Sequence, residues 1–93
     1  MEVQVGDLLW IPGVAEDTAG NLLAIKIAQV KVVGVSNVEG IAFLWPGEDE
    51  PAYCDQPELF RKTAEDAFAA VLLSRQLSKK DLKRLDLTID EYV

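Results

Sequence analysis

The apolar residues of this chain change their spacing from two residues to 3.6 residues near Thr63, and this change constrains the fold more than any other feature. Before Thr63, alternating and β-branched runs predict strands, and after it the spacing is that of one helix face. The charge divides near the same point, because residues 1–60 carry ten acidic and two basic side chains. We therefore expect an α+β fold, with a sheet part over 1–60 and a helical part with a tail over 61–93.

The length and charge of the chain exclude several classes of protein. The 93 residues predict a single domain, 1–93, because chains divide into separate cores only at greater length. The net charge of −7 argues against nucleic acid as a partner, since lysine and arginine supply most of the affinity for polyphosphates. The longest apolar run, over 67–73, is far shorter than the roughly 20 residues of a membrane helix. A single cysteine indicates a reducing compartment, so we expect a cytoplasmic protein without membrane contact.

Four or five antiparallel strands are predicted in the sheet part, forming a curled sheet. They are an opening strand over 3–11, a long strand over 22–35, a strand over 40–45, and a short strand over 52–54 inside an acidic connector, 46–58. Within the long strand, the apolar positions move from odd numbers (Ile25, Ile27) to even numbers (Val30, Val32). Because side chains alternate between faces along a strand, we expect a bulge near Ala28–Gln29 that bends the strand across a small barrel.

Two helices are predicted after the sheet. Thr63 is a good N-cap for a helix over 63–76, in which Phe68 would anchor the helix to the sheet. A second apolar strip on this helix, which must also be covered, consists of Ala70, Leu73 and Leu77. Ser78 caps a short helix over 79–85, with Asp81 completing a capping box and Leu77 and Leu82 at the spacing of a hydrophobic staple.

The C-terminal tail is too apolar for a solvated end. Its apolar residues are Leu87, Ile89, Tyr92 and Val93. We expect the tail to dock on the body of the protein or on a second subunit, and the two-sided apolar helix together with this tail predicts a homo-oligomer.

The chain lacks the side chains that most enzymes use. It has no histidine, the commonest general base and metal ligand, and one cysteine cannot build a structural zinc site. Cys54 lies beside Asp55, which disfavours a reactive thiolate, and the acids of 48–50 lack the ligand spacing of a calcium loop. We predict no catalytic residue, no metal site and no cofactor, and therefore a protein that is not an enzyme.

Three large aromatic residues are the candidate partner-binding residues: Trp10, Trp45 and Tyr53. Aromatic side chains on the rim of a small barrel are a usual platform for a protein partner. The alternative interpretation places Trp10 and Trp45 in the core, because aromatics supply much of a small domain's buried area. A basic cluster between Arg75 and Arg84 is the one local patch that could contact phosphate, although lysine-rich faces of terminal helices are usually solvated.

Two motifs and the β-rich stretch between them resemble small SH3-like barrel proteins of phages, plasmids and bacteria. The first motif, Val5–Trp10, reads VGDLLW, and the second, Leu59–Ala67, reads LFRKTAEDA, where Asp66 replaces the second glutamate of an LF-x-T-x-E-E-A segment. In such proteins the first motif opens the sheet with a turn and the second starts the packing helix. The resemblance implies an SH3-like barrel, with the helix packed on its open side, and it implies no particular activity.

These observations favour a small non-enzymatic protein-interaction or regulatory protein, and the resemblance is compatible with one encoded by a mobile element. One alternative is an acidic mimic of nucleic acid that inhibits a nucleic-acid-binding or defence protein. Another alternative is a small-ligand-binding protein, which would need a concave pocket with converging polar groups.

Overall fold

A five-stranded mixed sheet and two helices make up residues 3–92, the part of the chain that the computed structural model describes. In chain order the elements are strands β1 (Leu8–Glu16), β2 (Leu22–Ser36), β3 (Gly40–Leu44) and β4 (Ala52–Cys54), a 3-10 helix (Pro57–Leu59), helices α1 (Ala64–Arg75) and α2 (Lys79–Arg84), and strand β5 (Asp86–Asp90). The predicted α+β class is confirmed. Neither helix in the described part is long and apolar enough to cross a membrane.

Strand β2 is the centre of the sheet because it pairs with three other strands. One edge of β2 pairs antiparallel with β1 along 22–31. The other edge pairs antiparallel with β3 along 31–36 and parallel with β5 along Ala24–Ala28. Strands β3 and β5 therefore lie end to end on the same edge of β2, and β4 continues the sheet beyond β3.

The sheet is not closed, so the SH3-like barrel is not confirmed. The outer edge of β1 meets the chain again at Arg61 through an isolated bridge. Trp10 and Arg61 exchange two backbone hydrogen bonds there, each with an N···O distance of 2.7 Å. This contact follows the 3-10 helix and brings the start of α1 close to β1.

The opening strand begins later than its sequence suggested. Residues 4–7 form a turn in which the Asp7 amide donates to the Gln4 carbonyl (3.1 Å), while the Asp7 carboxylate accepts from the Gln4 amide (2.9 Å). Gly6 adopts φ +95°, a backbone conformation that favours glycine. The prediction of strand over 3–7 is therefore wrong, and the predicted opening turn is confirmed.

No bulge interrupts β2 at Ala28–Gln29, so that prediction is wrong. Ala28 and Gln29 pair in unbroken register with Ile11 and Trp10 of β1. The register of β2 shifts instead between Val32 and Gly34, in its pairing with β3. The buried apolar residues of β2 change from odd to even positions because the two ends of the strand are buried on opposite faces of the sheet.

The two faces of the sheet bury two separate cores. Core 1 lies on the inner face of the curled sheet and consists of Leu9, Ile11, Ala28, Val30, Val32, Ile41, Phe43 and Phe60. Core 2 lies on the opposite face, under α1, and consists of Ile25, Ile27, Ala67 and Val71. The helix thus packs on the outer face of β1 and β2, and not on the open side of the sheet as the resemblance implied.

The helix boundaries and caps agree with the sequence. The Thr63 hydroxyl accepts from the Asp66 amide (3.1 Å), and α1 ends where Gln76 adopts the left-handed conformation (φ 54°). Ser78 and Asp81 form the predicted capping box of α2. Leu77 and Leu82 both pack against core 2, as expected for a hydrophobic staple.

The second apolar strip of α1 is only partly covered. Ala70 and Leu77 are half-buried, but the Leu73 side chain is 80% exposed. Helix α2 therefore does not cover Leu73, and the expectation that α1 buries two complete sides is wrong.

The tail forms a strand that the sequence reading did not assign. Leu87 and Ile89 lie in β5, which pairs with β2, and the Tyr92 amide donates to the Gln29 side-chain oxygen (3.1 Å). Val93 lies outside the described residues. Of the two expected arrangements, docking on the protein's own body is the one observed, which removes the tail from the argument for a homo-oligomer.

Candidate functional site

The three candidate aromatic residues lie in three different environments. Trp10 is half-buried against core 2, on the helix side of the sheet. Trp45 is half-buried against core 1, on the inner face. Tyr53 lies on β4 and is 60% exposed. Trp10 and Trp45 therefore belong to opposite faces of the sheet, and the three residues do not form one platform.

Around Trp45, the inner face of the sheet becomes concave because its side chains become small. Along β1, the inward residues Leu9 and Ile11 are followed by Gly13. Along β2, buried Val30 is followed by Ala28 on the same face. The large side chains of core 1 therefore end at Ile11 and Val30. Beyond these residues, Gly13 and Ala28 leave the inner face of the sheet uncovered by large side chains.

A tight turn places Trp45 over this space. Trp45 follows β3 in the same phase as Phe43, and the two rings meet edge to face with centroids 5.2 Å apart. The Glu48 amide then donates to the Trp45 carbonyl (3.1 Å), and Gly47 adopts the positive φ (+79°) that a type II turn with Pro46 before it requires. The turn holds both Trp45 and Glu48 beside the concave surface.

Strand β5 supplies a further wall and a charge pair. The register places Asp86, Thr88 and Asp90 on the inner face, beside the inner-face residues of β2. The Lys26 ammonium lies 3.5 Å from the Asp90 carboxylate, with exposed fractions of 63% and 41%. Such a solvated pair contributes about 0–1 kcal/mol to stability. Because both side chains are partly exposed, their charges are accessible to a bound molecule.

Together these elements enclose a half-open cleft of about 360 Å³. Its floor is Gly13 and Ala28, and its walls include Trp45, Glu48, Lys26 and Asp90. A concave apolar surface with a few convergent polar groups is the usual form of a binding site in a protein. With two acids and one base, the cleft is suited to a partner that presents both apolar and basic groups.

Two further clefts are of similar size but chemically less suited to binding. A cleft of about 500 Å³ at the start of α1 is lined by Arg61, Lys62, Glu58 and Asp66, whose charges cancel. Arg61 lies 3.7 Å from Asp66, although its buried Nε has no hydrogen-bond partner among the described residues. The third cleft, about 460 Å³, lies at the 36–40 turn and has no large aromatic wall.

The other sequence candidates form no site in the described chain. Residues 3–92 contain no group of three or more cysteine or acidic side chains arranged to hold a metal ion. Cys54 is half-buried, and its thiol donates to the Gln56 carbonyl (3.7 Å). In the basic cluster, Arg75 is paired with Glu16 (2.6 Å) and Arg84 with Asp81 (3.2 Å). These ion pairs leave three exposed lysines as the remaining positive charge of the cluster: Lys79, Lys80 and Lys83.

Trp45 is the one residue of this cleft that the sequence named as a candidate, and the residues around it were not named. Lys26 and Lys31 interrupt the apolar residues of β2, but nothing in the local sequence indicates that Lys26 pairs with Asp90. The alternation of Asp86, Leu87, Thr88 and Ile89 has the period of a strand, although its pairing with a strand about sixty residues earlier is a tertiary event. Gly13 lies beyond residue 11, where the opening strand was predicted to end, whereas β1 continues to Glu16; that predicted end is wrong, and it kept Gly13 out of the sheet.

Comparison of the chain with protein-family models, with curated proteins and with solved structures gives no match.

Proposed function

We propose that this chain is a small non-enzymatic interaction protein of the cytoplasm that binds a segment of a partner protein in the cleft beside Trp45. The observation that carries the proposal is the convergence of Trp45 and the Lys26–Asp90 ion pair on one apolar cleft. Aromatic residues are enriched at the centres of protein interfaces, where they supply large contact areas. The single free cysteine is compatible with a reducing compartment.

The order of the elements supports relation to the SH3-like barrels, of which this sheet would be an open form. Four antiparallel strands are followed by a 3-10 helix, after which the chain returns to β1 at Arg61. Small barrels of this kind carry many unrelated binding roles, so the relation supports an interaction role only in general terms.

A basic or neutral partner protein fits better than nucleic acid. The chain carries a net charge of −7, and two residues of the basic cluster are already paired within the chain. A homo-oligomer remains part of the proposal through the exposed Leu73 of α1. Sedimentation of the wild type and of Leu73→Lys at micromolar concentration would test it, with dissociation expected in the variant.

The cleft can be tested by filling it. In Gly13→Leu, the added Cβ would lie 3.4 Å from the Lys26 carbonyl, and the rest of the side chain would occupy the floor of the cleft. Gly34→Leu is the matched control, because its Cβ would lie at the same distance, 3.4 Å, from Ala42 in another part of the sheet. Circular dichroism would establish that both variants fold.

Affinity capture from the native host with the three proteins would then be compared. We expect a specific partner on the wild type and on Gly34→Leu, and its loss on Gly13→Leu. Retention of the partner by Gly13→Leu would exclude the cleft as the binding surface. Capture of no specific protein by any of the three would contradict the interaction role itself.

A small ligand is the second candidate, because about 360 Å³ is within the size range of small-molecule pockets, roughly 300–1,000 Å³. Amide NMR spectra of the labelled protein, recorded with mixtures of small aromatic amines, would test this role. Shifts confined to Gly13, Lys26 and Ala28 would support it. Shifts absent at these amides would leave the partner segment as the occupant.

A further inference from the structure

The outer edge of β5 is open. Strand β5 pairs with β2 on one side, and within residues 3–92 no strand pairs with its other side. The side chains from Asp86 to Ile89 are all exposed. An edge strand of this kind presents a row of backbone N–H and C=O groups that can pair with an added strand.

The two faces of β5 carry different chemistry beside this edge. Leu87 and Ile89 lie on the helix side, beside Ile25 and Ile27 of core 2, and they are 50% and 51% exposed. Asp86, Thr88 and Asp90 lie on the inner face, on the same wall as the cleft. An added strand would cover the exposed halves of the two apolar residues on one face and meet two carboxylates on the other.

We propose that an extended segment of a partner protein, with basic residues alternating with apolar ones, adds to β5 as a sixth strand. This inference deepens the proposed function, on which it rests, by naming the class of segment and the way it is held. Main-chain hydrogen bonds to the edge of β5 give affinity, and the alternating side chains give specificity. Apolar residues of the segment cover Leu87 and Ile89, while its basic residues face Asp86 and Asp90.

A second copy of this chain fits the edge poorly. Because β2 occupies the other edge of β5, two copies would pair through the same open edge. Antiparallel pairing of β5 with itself about Thr88 places Asp86 opposite Asp90 on one face. Like charges directly opposite each other destabilise a strand pair. Pairing of two five-residue strands also buries far less than the roughly 1,000 Å² expected of a stable interface. A dimer would therefore need further contacts outside β5, in addition to overcoming the repulsion between Asp86 and Asp90.

The probe is a fluorescein-labelled peptide with the core Lys-Val-Thr-Val-Lys between glycine and serine flanks, measured by fluorescence anisotropy. A peptide with glutamate in place of both lysines should bind at least about tenfold more weakly, because two attractive cross-strand pairs become repulsive. Equal affinity of the two peptides would overturn the charge assignment.

Two N-methylated peptides test whether the contact is a strand addition. One carries methyl groups on the two valine nitrogens and the other on the lysine and threonine nitrogens. Because alternate N–H groups of a strand point to opposite edges, one of these peptides should lose binding and the other should keep it. Equal loss or equal retention would contradict strand addition.

A charge-reversed variant locates the contact on β5. Asp86→Lys leaves one attractive and one repulsive pair for either peptide, so it should weaken binding of the lysine peptide, strengthen binding of the glutamate peptide and bring the two affinities close together. Glu39→Lys, in the exposed turn before β3, changes the net charge equally and should leave both affinities near those of the wild type. If Asp86→Lys does not fold, slowed amide exchange of Leu87, Thr88 and Ile89 in the wild type on adding the lysine peptide decides the location.

The outcomes separate this inference from the proposed function. A partner whose capture depends on Gly13, combined with no peptide binding, would overturn strand addition and leave the cleft proposal standing. Peptide binding with the expected N-methyl asymmetry, combined with capture that Gly13→Leu does not affect, would overturn the cleft proposal and leave the edge of β5 as the binding surface.

Discussion

Core 1 and core 2 are built on the same strand but differ in how completely they are closed. Core 1 contains eight buried residues, and Phe43 packs edge to face on both Phe60 and Trp45. Core 2 contains four buried residues, surrounded by half-buried side chains from α1, α2 and β1. Core 1 is enclosed by strands from the sheet part of the chain, whereas core 2 depends on the short helical part.

This difference distinguishes the surface that stabilises the fold from the surface that is available to a binding partner. Surface that is already buried within the chain stabilises the fold, and surface that stays half-exposed is available to a partner. The half-exposed apolar residues of β5 lie beside core 2, while the cleft lies at the end of core 1 where large side chains stop. Both proposed binding surfaces are therefore at the borders of the cores.

The largest expected effect compares one phenylalanine in each core. Phe60 is 1% exposed, so Phe60→Ala should lower the free energy of unfolding by about 3–5 kcal/mol. Phe68, which the helical spacing predicted as the main anchor, is half-buried against core 2, and Phe68→Ala should cost about 1–3 kcal/mol. Urea denaturation measures both changes. A larger loss for Phe68 would reverse the ranking of the two cores.

The second comparison concerns two turn glycines with the same backbone conformation. Gly40 and Gly20 both adopt φ +86°, but a Cβ on Gly40 would lie 2.5 Å from the Cys54 carbonyl, and a Cβ on Gly20 would meet nothing within 4 Å. Gly20→Ala should cost about 1 kcal/mol from backbone strain alone, and Gly40→Ala should cost at least about 1 kcal/mol more. Equal losses in thermal or urea unfolding would mean that the β3–β4 backbone moves aside without cost.

The third comparison is between the two strands on one edge of β2. We expect the amides of β5 to exchange with solvent at least about tenfold faster than those of β3, because β5 opens without disrupting core 1. Native-state hydrogen exchange measured by NMR tests this order. Protection of β5 equal to that of β3 would show that the two cores unfold as one unit.

The smallest effects come from two exposed carboxylates. Hydrogen bonds from the backbone and side chain of Asn21 lower the pKa of Asp17 below 3.8, and hydrogen bonds from Ser78, with the charge of Arg84, lower the pKa of Asp81 below 3.8. A carboxyl group with a lowered pKa in the folded state stabilises the protein above its unfolded-state pKa, and this contribution is lost as the pH falls through the folded-state pKa.

Carbon-detected NMR titration of the two carboxyl groups should therefore give midpoints below 3.8 for both. Asp17→Asn and Asp81→Asn should each reduce the loss of stability between about pH 4 and about pH 2, compared with the wild type. An unchanged acid transition in both variants would show that other carboxyl groups control it.

The local elements of this protein were largely predictable because their signals are local. The Thr63 cap, the Ser78–Asp81 capping box and the Gly6 turn depend on hydrogen bonds between residues three apart. The long strand β2 was predicted within one residue of its observed end at Ser36. Trp45 was named as a candidate binding residue because it is a large aromatic expected on the rim of a small barrel, with a place in the core as the alternative.

The candidate site was predictable only in part, since its residues come together across the sheet. Gly13, Lys26 and Asp90 lie on three different strands, and the last of these pairs with β2 from the far end of the chain. The bulge predicted at Ala28–Gln29 was wrong for a related reason. The apolar pattern showed that the buried face changes along β2, but not that a helix covers one face while strands enclose the other.

The sequence by itself determined the α+β class, the two capped helices, most strand positions and the net negative charge, because these depend on spacing, composition and contacts between near neighbours. Only the tertiary structure decided that β5 pairs parallel with β2, that α1 packs on the outer face, and that a cleft opens beside Trp45. These features depend on which distant segments cover each face of the sheet. Periodicity along a single strand reports that a side chain is buried and does not report by what.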